Sequence, residues 1–169
     1  KFEVQFERSP VRDGDRIDIG GIRLTAMHTP GHTPEHLAYL LFDMHRSADT
    51  PMAMLSGDFL FVGALGRPDL LGEDETLALA RKLYASVRRL DALPDAMEVH
   101  PGHGAGSMCG AGMSGRPMST LGYERVANPL LSPTMHEDEF VTRMLDGLPP
   151  RPAYYTRMKA LNSTGPMTL

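Results

Sequence analysis

Three short turns constrain this chain more than any other feature: His28-Thr29-Pro30-Gly31-His32, Ser56-Gly57-Asp58 and Pro101-Gly102-His103-Gly104. Each follows an apolar run of strand character, and each carries a glycine that frees the backbone to turn. A chain built this way must place imidazoles and a carboxylate at the ends of strands. Two neutral imidazoles and one carboxylate, gathered across a sheet, form a ligand set suited to zinc or non-heme iron(II).

The flanking sequence supplies the strands. Arg16 to Ile19 and Ile22 to Met27 are β-prone runs separated by Gly20-Gly21, a dipeptide suited to a two-residue hairpin turn. Leu37 to Phe42 and Met52 to Leu55 are largely apolar and read as central strands, with Asp43 to Pro51 a loop between them. From Glu73 to Leu90 the period changes. Leu79, Leu83, Val87 and Leu90 fall on one helical stripe, with acids at its start and Arg88 and Arg89 near its end, an order that suits the helix dipole. Pro94 closes that helix, and Met97 to Val99 forms a strand leading to His100 and His103. Gly102 to Gly115 holds six glycines and reads as a loop. Helices follow at Ser119 to Ala127, at His136 to Leu145 and at about Tyr154 to Leu161, before a linker-like Asn162-Ser163-Thr164-Gly165-Pro166. Strands, a helix, a strand and more helices imply a layered α/β domain.

Composition narrows the function classes. With 169 residues, 41% hydrophobic and 22% charged, the chain has the make-up of one globular domain. A net charge of -4 with scattered arginines offers no track for a phosphate backbone, so nucleic acid is not expected as a partner. No apolar run is long enough to span a bilayer and the first ten residues do not form a signal core, so the expectation is a soluble, cytoplasmic protein with no membrane partner. The single cysteine, Cys109, agrees with a reducing compartment. The twelve methionines read as core filler.

Within the first turn, Pro30 and Gly31 exclude a helix presenting both His28 and His32. His32 is the first choice as ligand, with His28 or His36 as neighbours, and the alternative is a set of surface loop histidines. Asp58 at a buried strand's end would be costly without a cation, and its alternative role is to cap the segment Phe59 to Val62. His103 is preferred over His100, which ends a strand. Cys109 lies in the glycine-rich loop, where one reading is that it meets a persulfide; with no basic partner evident in the sequence, a buried or incidental thiol is the preferred reading.

These motifs resemble the later metal motifs of the metallo-β-lactamase fold, in the branch of glyoxalase II and the persulfide dioxygenases. The run from Gly57 to Leu70, the run Pro101 to Ser107, and Pro149 to Tyr155 with Arg157-Met158-Lys159 are similar to bacterial persulfide dioxygenases fused to rhodanese domains. The resemblance implies an α/β fold, the C-terminal part of an αββα sandwich, over residues 1–135, with C-terminal helices and a linker toward a rhodanese-like domain over 136–169. It implies that His32 and Asp58 are metal ligands and catalytic. His103 would bind a second metal in hydrolytic members, or stand beside the carboxylate in the iron members. Arg67 would touch a substrate carboxylate, although Ala105 replaces the tyrosine that glyoxalase II has after its metal histidine.

The implied activity is Fe(2+)-dependent oxidation of a small-molecule thiol persulfide by dioxygen to sulfite. The alternatives are a binuclear Zn(2+) thioester hydrolase and a non-catalytic remnant. The family's His-x-His-x-Asp-His motif is absent from this sequence, so the expectation is a fragment, inactive alone, whose partners are the N-terminal half and rhodanese domain of the same protein. A homo-oligomer is left open.

Overall fold

The computed structural model describes residues 4–146 and 148–165. A six-stranded sheet runs in sequence order: β1 (Arg16–Ile19), β2 (Ile22–His28), β3 (Leu37–Asp43), β4 (Ala53–Gly57), β5 (Glu98–Pro101) and β6 (Ser119–Thr120). All neighbouring pairs are antiparallel except β4 with β5. A parallel pair needs a crossover, and α1 (Glu73–Arg88) supplies it.

This topology fixes direction as well as order. β2 and β4 are each antiparallel to β3, so they run the same way, and β5 runs with β4. The turns that follow β2, β4 and β5 therefore all leave from one end of the sheet. These are the three motif-bearing turns.

Helices cover one face. Leu79, Leu83, Val87 and Leu90 bury the expected stripe against Met27, Met54 and Val99 of the sheet. α3 (Glu137–Leu145) adds Phe140, Val141 and Met144 to the same core, with the Tyr84 and Phe140 rings 5.4 Å apart. Directly opposed residues share a face of the sheet, and the pairs Ile17↔Leu24, Ile19↔Ile22, Leu24↔Leu41 and Tyr39↔Leu55 make the other face apolar too. The described residues leave Ile19 62% and Leu55 40% exposed there.

Two helix expectations are corrected. Ser119 and Thr120 pair with β5 instead of starting a helix. Thr120, β-branched and extended, caps α2 (Leu121–Ala127) by accepting a hydrogen bond from the Tyr123 N–H. The last helix, α4 (Tyr155–Thr164), continues through Asn162-Ser163-Thr164, which composition marked as linker, and stops at Gly165, whose φ of 82° a helix cannot contain. The end of that expected linker, from residue 166, lies outside the described residues. Among the described residues no helix is long and apolar enough to cross a membrane.

Candidate metal centre

Asp58 stands immediately after β4, where Gly57 turns the chain with a φ of 54°. No helix follows it, so the capping role is excluded. The segment folds back instead as a tight loop closed by Phe61 N–H donating to the Ala64 carbonyl at 2.9 Å, with Phe59, Leu60 and Phe61 buried. Gly66 allows this loop to close: a Cβ there would fall 1.8 Å from the Asp58 carbonyl oxygen. The Asp58 N–H donates to His36 Nε2 at 3.0 Å, and His36 Nδ1 meets Thr29 Oγ1 at 2.8 Å. Burial, and then the neighbouring His32, drive the His36 pKa down to about 4, so this ring stays neutral and acts as a brace.

Two other imidazoles face the carboxylate. His32 Nε2 lies 3.3 Å from Asp58 Oδ2, and His103 Nε2 lies 3.2 Å from Asp58 Oδ1. His32 is 5% exposed, whereas the His103 side chain is 43% exposed at the rim. His28 and His100 are not brought in. The His28 ring donates to the Pro34 carbonyl at 2.8 Å, closing the first turn, and His100 pairs with Glu98 at 2.9 Å.

The tautomer of His32 decides what the site can hold. Its Nδ1 is 2.9 Å from the Arg67 carbonyl, an oxygen that only accepts, so Nδ1 carries the hydrogen. In the neutral ring Nε2 is then a lone pair aimed at a carboxylate, and a cation belongs between them. Two ligands each about 2.0–2.2 Å from one ion stand about 3.0–3.5 Å apart, which matches the His32–Asp58 separation of 3.3 Å. Without an ion, a proton takes that position. Burial disfavours the His32 charge, but Asp58 and the Cys109 sulfur outweigh it and lift the pKa to about 9. Burial likewise opposes the Asp58 charge, and the imidazoles of His32, His103 and His36 overcome it, holding this carboxyl below its usual range.

The Arg67 side chain, expected to touch a substrate carboxylate, is turned inward. Its side chain is wholly buried, bonded to both Asp69 oxygens at 2.6 and 2.7 Å and to the carbonyls of Met108 and Pro149. A guanidinium with no exposed surface meets no ligand from solvent unless that packing opens. What Arg67 gives the site is backbone: its carbonyl orients His32, and its N–H donates to the Cys109 carbonyl at 2.8 Å. Cys109, read from the sequence as a buried or incidental thiol, comes to the same place. A ligand atom each of His32, Asp58 and Cys109 lie within 4.8 Å of one another, and the basic partner sought in vain along the sequence is His32.

No protein-family model matches the chain. A metallo-β-lactamase from Staphylococcus aureus superposes with a TM-score of 0.88 at 37% identity, over 98% of this chain and 48% of that one. The chain has the metallo-β-lactamase fold. ETHE1 from Myxococcus xanthus follows at 0.73 and 28% identity, over 95% of this chain and 62% of that one. Among curated sequences, a probable metallo-hydrolase of Burkholderia pseudomallei is 34% identical over 140 residues, 81% of this chain and 45% of the relative. A hydroxyacylglutathione hydrolase of Haemophilus influenzae is 28% identical over 123 residues, 72% of this chain and 46% of the relative. The chain thus spans about half the length of these curated relatives. A metal ion is implied by metallo-hydrolase relatives, and the donors of this metallo-β-lactamase fold fit one.

Proposed function

We propose that this chain contributes one half of the metal centre of a persulfide dioxygenase. The reading rests on one observation: the Asp58 carboxylate faces His32 Nε2, a buried nitrogen whose ring partner Nδ1 already donates to the Arg67 carbonyl. The similarity to ETHE1 over 95% of the chain supports the dioxygenase reading.

The proposed reaction is RSSH + O2 + H2O → RSH + sulfite + 2 H⁺, in which the persulfide as a whole gives up four electrons and dioxygen accepts them. Iron(II), when bound, supplies the position at which the persulfide sulfur and dioxygen meet. The chain's own residues prepare that position. The Arg67 carbonyl holds the His32 proton on Nδ1 and so keeps Nε2 free for the ion. His36 fixes the Asp58 backbone. His103, half exposed beside Asp58 Oδ1, holds the carboxylate and is placed to pass protons to solvent. A further ligand and the cover over the apolar sheet face come, in this proposal, from an N-terminal half of the same fold, with a rhodanese domain beyond the C-terminal helices.

The second reading, a binuclear zinc thioester hydrolase, is favoured by two facts. Both carboxylate oxygens of Asp58 have an imidazole beside them, as a bridging ligand requires, and the curated relatives include hydrolases. There the bound metals supply hydroxide for attack on the carbonyl. Metal analysis of this chain combined with the proposed N-terminal half separates the two. About one iron per chain, with oxygen consumed on glutathione persulfide, supports the dioxygenase. Two zincs with thioester hydrolysis overturn it.

A further inference from the structure

Two protein ligands hold a metal ion weakly, and the structure brings a third donor to the same space. Cys109 belongs to the glycine-rich loop after β5, yet its sulfur, a ring nitrogen of His32 and a carboxylate oxygen of Asp58 all lie within 4.8 Å of one another. This grouping is held by the main chain. Arg67 accepts from His32 Nδ1 through its carbonyl at 2.9 Å and donates its N–H to the Cys109 carbonyl at 2.8 Å, so one residue sets the spacing of both. The loop is pinned again where Ser114 N–H donates to the Val62 carbonyl at 2.9 Å. His32 is 5% exposed and turns its Nε2 toward Asp58 at 3.3 Å, so the donors of this grouping are largely withdrawn from solvent.

Resting on the reading that His32 and Asp58 hold a cation, we propose that the Cys109 thiolate is a third protein donor to the same ion. One imidazole, one carboxylate and one thiolate bring two negative charges, which balances a divalent ion. A thiolate also narrows the choice of metal: sulfur suits zinc and iron(II) and disfavours magnesium and calcium. Ligation releases the thiol proton to solvent, and three donors still leave positions open for substrate. Tyr155 Oη, 3.8 Å from the sulfur, links α4 to this group.

Cobalt(II), added to the reduced 169-residue chain, is the probe. The wild-type protein should show a thiolate-to-cobalt charge-transfer band in the near ultraviolet together with visible d–d bands, and cobalt should slow alkylation of Cys109. Cys109→Ser should lose the charge-transfer band, keep the d–d bands and bind cobalt at least about tenfold more weakly. Should that variant fail to fold by circular dichroism, the wild-type band and the protection from alkylation decide alone. A wild-type spectrum with d–d bands that vanish in His32→Ala and Asp58→Ala, but with no charge-transfer band and no protection, overturns the ligand role of Cys109 and leaves the His32–Asp58 site standing. No cobalt binding at all overturns both.

Discussion

Asp58 and His32 are each useful because of what sits behind them. Replacing Asp58 by asparagine keeps the shape and removes the charge, so the lone pair of His32 faces a neutral group. Metal retained after dialysis should fall by more than the about 10–100-fold that loss of an outer partner costs, as measured by elemental analysis. The histidines also predict a pH profile for the metal-free chain. His32 has its pKa raised to about 9, so its stabilising contribution is complete below about 6.5 and is lost as pH rises toward 9. His36 is lowered to about 4, so the unfolded state gains protons first and stability is lost as pH falls from about 6.5 to 4. Cys109, lowered to about 7 beside His32, works the other way above neutrality, because the unfolded state keeps that thiol proton to higher pH. Thermal unfolding in chelator should therefore lose Tm as pH falls from about 6.5 to 4 and change little from about 6.5 to 9. Cys109→Ser should lose Tm over that upper range, and a variant flat there would remove the charged His32 from the account. Of these residues, His32, Asp58 and His103 were legible in the sequence because each lies beside a glycine in a turn after a strand. Cys109 and the backbone of Arg67 were not, because what matters about them is contact across the fold.

At the scale of elements, α1 is both the crossover and the floor of the turn that carries His32. Ser86 Oγ donates to the Pro30 carbonyl at 2.8 Å, Arg89 reaches the His28 carbonyl at 2.6 Å, and Gly31 sits so close to Leu83 that a Cβ would come within 2.5 Å of the leucine Cβ. Leu83→Ala removes a fully buried side chain from beneath that turn. The expected cost is about 2–5 kcal/mol in chemical denaturation, with metal affinity lowered in the protein that remains folded. The helix itself was plain in its 3.6-residue stripe and charge order. The start of α2 was not, since Thr120 serves a strand and a cap together, and sequence patterns score those roles separately. The extension of α4 through Asn162-Ser163-Thr164 overrode a composition that favours coil.

At the scale of the described residues together, the sheet carries an apolar surface on each side, and α1 and α3 pack on one of them. Ile17, Ile19 and Leu55 lie on the uncovered side, and a surface of this kind drives association in water. The 169-residue chain alone should self-associate in sedimentation velocity and bind a hydrophobic dye, and Ile19→Lys with Leu55→Lys should reduce both. Adding the proposed N-terminal half should do the same without any substitution. The pattern of short apolar and β-prone runs bounded by turn residues made a sheet legible from sequence. It did not reveal that β2, β4 and β5 run in one direction, because strand direction comes from pairing and not from composition.

That shared direction divides the molecule into a working rim and an idle one. The turn between β3 and β4, where Ala48, Asp49 and Thr50 are exposed, opens at the idle rim. A peptide tag spliced in at Asp49 should be carried as harmless cargo, with metal uptake and Tm those of the parent, whereas the same tag placed after Gly104 should abolish uptake.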